Sequence, residues 1–212
     1  MSFKILREAR RSVVLLAVLA STLLPAQAAP KSLMLYGDSL MAGFGLETPD
    51  AFAAQLEAGL GADGYDVEII NASVSGDTSA AALGRLDWSL GDRPDAVLLG
   101  LGGNDMLRGL PPAQMRENLA TILKRLREEN IPVLLLGMRA SRNLGGDYVT
   151  SFDAVFPSLA QEFGVSLYPF FLEGVALDPT LNQPDRIHPN GKGVATIVRG
   201  VLPMVETLLD NS

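Results

Sequence analysis

The chain of 212 residues contains no cysteine, and His188 is its only histidine. Without a thiol there is no disulfide staple and no cysteine for a lipid anchor. One imidazole and no thiolate argue against a metallohydrolase, because catalytic and structural zinc sites draw on several such ligands. No P-loop and no G-x-G-x-x-G opens a helix, so no nucleotide cofactor is indicated, and none of any other kind is expected. G-x-S-x-G is also missing, which argues against the serine elbow of an α/β-hydrolase. Long apolar runs are scarce too. The stretch from Val13 to Leu24 has 12 residues, short of the roughly 20 that a membrane-spanning helix needs.

That stretch follows Lys4, Arg7, Arg10 and Arg11 and precedes "PAQAAP", where Ala26-Gln27-Ala28 fits a small-x-small cleavage rule. Basic, apolar and small residues in that order predict a cleaved export signal over residues 1–28, with a buried N-terminal helix as the structural alternative. The expected product is a single domain over residues 29–212, periplasmic or secreted from a bacterium, with no stable membrane insertion after cleavage. Cleavage removes four basic residues and one acidic from totals of 17 and 24, leaving 13 against 23 and a net charge of −10. This deficit of positive charge argues against a nucleic-acid partner and against strong adhesion to anionic lipid. A chain of this length buries enough surface to fold without staples.

What is present is an alternation of strand and helix patterns. "SLMLYG" (32–37), "YDVEIINA" (65–72), "DAVLLGLGG" (95–103), "IPVLLLGM" (131–138) and "VSLYPF" (165–170) read as five strands. Between them, 51–60, 80–90, 113–130 and about 150–163 read as helices, and 191–209 closes the chain as another. Met115, Leu119, Ile122, Leu123 and Leu126 fall on one face of the third helix. Asp77, Thr78 or Ser79 caps the second. Unbroken apolar strands imply a parallel sheet covered on both faces, and ligands of such sheets bind beyond the carboxyl ends of the strands.

Those ends carry the candidate chemistry. Strand one runs into Gly37-Asp38-Ser39, strand two into "SGDTS" with Gly76 at the turn, and strand three into Gly102-Gly103-Asn104. Each also has an ordinary explanation: Asp and Ser are turn and cap residues, glycine suits any tight turn, and Asn is a common cap. The last loop, "DRIHP", holds Asp185 and His188. A serine hydroxyl becomes a nucleophile when a base takes its proton, and a carboxylate holds that base in the right tautomer. Asp185 and His188, three apart in one turn, can pair through Nδ1–H and leave Nε2 for Ser39. The N–H groups of Ser39 and Gly76, with the side-chain amide of Asn104, would supply three oxyanion donors.

"YGDSLMAGFG", "NASVSGDTS", "LGLGGNDMLRG" and "PDRIHPNGKG" resemble, in order and separation, the four sequence blocks of the SGNH (GDSL) hydrolases, and more narrowly the chain is similar to their exported bacterial thioesterase I, lysophospholipase and arylesterase group. The likeness runs from about Ser32 to the final helix. It implies a three-layer α/β/α, flavodoxin-like fold with a five-stranded parallel sheet. It implies Ser39 as nucleophile, Asp185 and His188 as its partners, and Gly76 and Asn104 as oxyanion donors. The expected partner is a small-molecule ester or thioester: an aryl ester, a short-to-medium acyl ester, an acyl-CoA or a lysophospholipid. Nothing in the residues specifies an oligomeric state. Residues 138–148 and Arg186, where small residues are common, depart from the group. A carbohydrate O-deacetylase and a non-catalytic binding module on the same scaffold are the alternatives. Residues 105–113, 142–149 and 170–177 read as loops that either line an acyl groove, Leu107 to Leu110 foremost, or cap the core.

Overall fold

A computed structural model describes residues 30–212; the signal reading of residues 1–28 therefore lies outside the described residues. The chain runs β1 (Lys31–Gly37), α1 (Ser39–Ala42), α2 (Phe52–Ala62), β2 (Val67–Asn71), α3 (Ser79–Ser89), β3 (Ala96–Gly100), α4 (Gly103–Leu107) and α5 (Pro112–Glu128). It continues through β4 (Val133–Leu136), α6 (Gly146–Asp153), α7 (Val155–Phe163), β5 (Ser166–Tyr168) and α8 (Gly191–Asp210). All five strands pair in parallel, in the order β2-β1-β3-β4-β5. Helices α2 and α8 pack together on one side, and α3, α5 and α7 on the other, so the three-layer α/β/α, flavodoxin-like architecture holds. Strand order reverses at β1 and β3, and the crevice beyond their carboxyl ends is where this topology places a ligand.

Burial explains the continuous apolar runs. Leu33 to Tyr36 in β1 and Val133 to Leu136 in β4 are enclosed by helices on both faces. The five apolar residues expected on one face of α5 are the ones it buries. Tyr36, deep in β1, donates its hydroxyl to the Ala82 carbonyl at 2.5 Å and so ties the strand to α3. Burial pushes that phenol up to about 12, against the pull of the Arg85 guanidinium 4.3 Å from the ring centre. Thr78 is the cap of α3, accepting from Ala81 N–H at 3.2 Å.

One expected helix is two. The 150–163 pattern divides after Asp153 into α6 and α7. Pro157 lacks an N–H and its ring would press on the carbonyl four residues back, whereas in the first turn of a new helix the missing donor costs nothing. The 105–113 stretch also differs from its reading as a loop, since its first residues belong to the short helix α4. At the carboxyl end of β1, Gly37 pairs with Gly100 of β3. A Cβ on Gly37 would stand 2.7 Å from the Gly100 carbonyl oxygen, so only glycine lets the two strands finish side by side there. The closing helix begins at Asn190, whose side chain accepts from the N–H groups of Lys192 and Gly193 at 3.0 and 3.1 Å. Its far end returns to the start of the sheet, where the Lys31 ammonium donates to the Leu209 carbonyl.

Candidate active site

Ser39 is the first residue of α1, directly past β1. Its Oγ lies 2.9 Å from His188 Nε2, and His188 Nδ1 lies 2.6 Å from Asp185 Oδ2. An ionised carboxylate only accepts, so Nδ1 carries the proton and Nε2 is left to accept from the serine hydroxyl. The ring is fixed from its face as well: Phe44 lies 4.6 Å away between centroids.

The turn that carries Asp185 and His188 is closed by its own backbone. Gln183 N–H donates to the His188 carbonyl at 2.7 Å, and Asn190 N–H donates to the Leu181 carbonyl at 2.9 Å. Inside it, Asp185 Oδ1 accepts from the N–H groups of Ile187 and His188 at 2.9 and 3.0 Å. Partial burial raises the Asp185 carboxyl, but those two N–H bonds and the bond to the imidazole outweigh it and hold the group down at about 2. The carboxylate is therefore ionised throughout the neutral range. This curl needs a left-handed residue, and Arg186 supplies it with φ 61°, a conformation that costs an L side chain roughly 1–2 kcal/mol.

Gly76 and Asn104 face the same crevice. With Ser39 and His188 they line one cavity of about 860 Å³. Gly76 has φ 88°, and its carbonyl accepts from Arg108 Nη2 at 2.8 Å, which anchors that peptide. Neither Ser39 N–H nor Gly76 N–H donates to another group among the described residues. Asn104 is the second residue of α4, and its Nδ2 donates to Asp38 Oδ2 at 3.3 Å. The neighbouring Asp105 is buried and accepts from Ser79 N–H and Oγ–H at 2.8 and 2.6 Å, which pins α4 to the start of α3.

Asp38 has a part that its sequence position hides. It is the cap of α1, accepting from Leu40 N–H at 3.1 Å, which is the ordinary reading of an Asp before a short helix. Its second oxygen is the one that holds Asn104. Burial pushes the Asp38 carboxyl up to about 6, against the Leu40 N–H, the nearby imidazole and the Asn104 amide, all of which favour the anion. Direct adjacency to the serine was the available signal. The cap reading was sufficient by itself and masked it.

The cavity walls are apolar in large part. Met106 and Leu107 of α4 line it, with Leu40, Phe44, Met138, Phe170, Leu172, Leu177 and Ile187. The loop readings hold in part: Leu107 is in the wall and more than half exposed, whereas Leu110 is outside it and presents its carbonyl to the Tyr148 hydroxyl at 3.0 Å. The divergent 138–148 segment forms another wall. Ala140 N–H donates to Asp153 Oδ1 at 2.8 Å, Arg142 pairs with Asp153 at 2.7 Å, and Arg139 lies over the Phe170 ring while pairing with Glu173 at 3.4 Å. Such an arrangement can activate a hydroxyl, receive an apolar group beside it and surround the reacting carbonyl with N–H donors.

The chain is similar to known proteins over most of its length. Residues 35–195 match the GDSL-like Lipase/Acylhydrolase family. The chain is 41% identical over 200 residues to the protein named Esterase TesA of Pseudomonas aeruginosa, covering 94% of this chain and 100% of that one. It is 42% identical over 166 residues to the Thioesterase 1/protease 1/lysophospholipase L1 of Escherichia coli, covering 77% of each. Among solved structures, a crystal structure of TesA superposes with a TM-score of 0.80 at 40% identity, over 84% of this chain and 99% of that one.

Proposed function

The chain belongs to the GDSL-like lipase/acylhydrolase family, and from that premise we propose that it hydrolyses carboxylic esters and thioesters by acyl transfer through Ser39. The single observation that carries the proposal is the chain of contacts Ser39 Oγ to His188 Nε2 at 2.9 Å and His188 Nδ1 to Asp185 at 2.6 Å. His188 Nε2 takes the hydroxyl proton while Oγ bonds to the carbonyl carbon, and the carbonyl oxygen becomes an anion. Ser39 N–H, Gly76 N–H and Asn104 Nδ2–H receive that charge. The carbon–oxygen or carbon–sulfur bond then breaks, and the imidazolium returns its proton to the departing alcohol or thiol. Water attacks the acyl-enzyme by the same route in reverse, releasing the carboxylic acid and restoring Ser39.

Asp185 keeps the imidazole in the tautomer that can accept and stabilises it once protonated. Its low carboxyl range keeps it charged at every pH at which the imidazole could act. The apolar wall from Leu40 to Leu177 favours an acyl or aryl group over the acetyl group of a carbohydrate, and the intact hydroxyl–imidazole–carboxylate set favours turnover over simple binding. Aryl esters, acyl-CoA thioesters and lysophospholipids are the substrates of first choice.

We propose further that residues 1–28 are an export signal removed after Ala28, which the basic–apolar–small order of that segment supports. Among the described residues no helix is long and apolar enough to cross a membrane. Treatment with a fluorophosphonate followed by peptide mapping tests the nucleophile. Labelling at Ser39 is expected, and a label on any other residue, or none, overturns the assignment. Amino-terminal sequencing of the protein recovered from a bacterial host tests the signal, with Ala29 expected as the first residue.

A further inference from the structure

Three arginines line the cavity, and two of them are committed. Arg139 pairs with Glu173 and lies over Phe170, and Arg142 pairs with Asp153. Arg186 is different. It is exposed, it lines the same cavity, and its guanidinium has no hydrogen-bond or carboxylate partner among the described residues. Its one contact of this kind is through the backbone, Arg186 N–H to the Gln183 carbonyl at 2.9 Å. Among the described residues, Arg186 is the one of these three arginines that no carboxylate balances.

The backbone makes this choice of residue informative. Arg186 has φ 61°, a region in which glycine sits without penalty and a long side chain does not. The Asp185 turn needs that conformation, but it does not need a guanidinium there, because the bonds that close it come from the backbone, the Asp185 carboxylate and the Gln183 amide. A side chain held in a disfavoured conformation beside reacting groups points to a use for the side chain.

Its position indicates which part of a substrate it would meet. In acyl transfer the leaving atom must come within hydrogen-bonding reach of His188 Nε2 to collect the proton. The rest of the leaving group then passes the 185–188 turn, where Arg186 and Ile187 line the wall. A guanidinium offers a planar fork that matches the oxygens of phosphate or carboxylate. We propose that Arg186 is a specificity-determining residue that recognises an anionic leaving group, an alcohol or thiol bearing a phosphate or carboxylate. The inference rests on the hydrolase reading above and refines it.

The test uses hexanoate esters of three para-substituted phenols with one acyl group, carrying a carboxylate, a phosphate or a neutral carboxamide. The readout is the ratio of kcat/KM for each anionic ester to that for the neutral one, in the wild-type protein, Arg186→Gly and Arg186→Lys. Glycine suits the backbone, so Arg186→Gly is expected to keep or raise the melting temperature. It should lower the anionic-to-neutral ratio roughly tenfold, chiefly through KM, while Arg186→Lys retains part of the preference. The wild-type ratio should also fall as salt is raised. A fall confined to the phosphate ester assigns the subsite to phosphate, and an equal fall for both anions assigns it to charge. Ratios unchanged in Arg186→Gly, with all three esters still hydrolysed, overturn the role of Arg186 and leave the hydrolase reading intact. No turnover of any ester by the wild-type protein overturns both.

Discussion

Replacing Asp38 with asparagine separates two things that the aspartate does at once, and the change can be read as a pH dependence of stability. The carboxyl is 3% exposed and its range is pushed from 3.8 up to about 6. Below the unfolded value both states hold the proton. As pH rises from 3.8 to 6 the unfolded chain releases it while the folded chain keeps it, so the folded state binds more protons and stability falls; above 6 the loss is complete. A gap of about two pH units corresponds to roughly 3 kcal/mol, of which about 2 kcal/mol falls between about pH 4.5 and about pH 7.5. Asparagine has no proton to exchange there. Urea unfolding of the wild-type protein and Asp38→Asn at the two pH values gives the difference, because titrating groups remote from Asp38 are common to both and cancel. The wild-type protein should lose about 2 kcal/mol more than the variant on going to the higher pH. Parallel pH profiles would refute the reasoning, whatever the constant offset between the two proteins. The variant also offers one oxygen where the aspartate offers two, so Leu40 N–H and Asn104 cannot both be served. A lowered kcat should accompany the change, bounded by the roughly 10²–10³-fold loss of one oxyanion donor.

Asn104→Ala removes that donor outright and should lower kcat by about 10²–10³ with a much smaller effect on KM, measured on a soluble aryl ester. Asp185→Asn should lower kcat by about 10⁴, since the imidazole loses its tautomer. The same variant has a stability signature. The native carboxyl is held at about 2, so its stabilisation is complete above the unfolded value of 3.8 and is lost as pH falls from there through 2; acid unfolding monitored by circular dichroism should be less steep in the variant over that window. Leu107→Ala should shift the dependence of kcat/KM on acyl length, and an unchanged profile would remove Leu107 from the acyl wall.

Strands were legible because both faces of the sheet are covered, which leaves continuous apolar runs such as Leu33 to Tyr36 that few other environments require. The face of α5 was legible for the same reason. The division of α6 from α7 was not, because apolar spacing continues across it and only Pro157 marks the break. At the site, the solitary His188 and the Asp185 beside it narrowed the chemistry, their place beyond the strand ends joined them to Ser39, and the likeness of four blocks to a family gave the full set. Spacing along a chain does not report a contact between residues 39 and 188. Asp38 remained hidden because one local bond explained it fully, and its second bond reaches across to another strand end. Arg186 was visible as an odd residue, yet its left-handed backbone is a property of the closed turn. Leu110 was misread because an apolar residue after a strand end can face the cavity or away from it, and the turn at Gly109, with φ 63°, decides which.

The Ser39 hydroxyl and the His188 imidazole meet across a sequence separation of 149 residues, and the helix that follows the imidazole is fastened back onto the first strand. The contact on which the proposed reaction depends therefore forms last. A chain emerging from the ribosome presents Ser39 long before His188. Under the proposed mechanism a chain still lacking its last residues carries the hydroxyl without its base, so the order of synthesis itself acts as a safety catch.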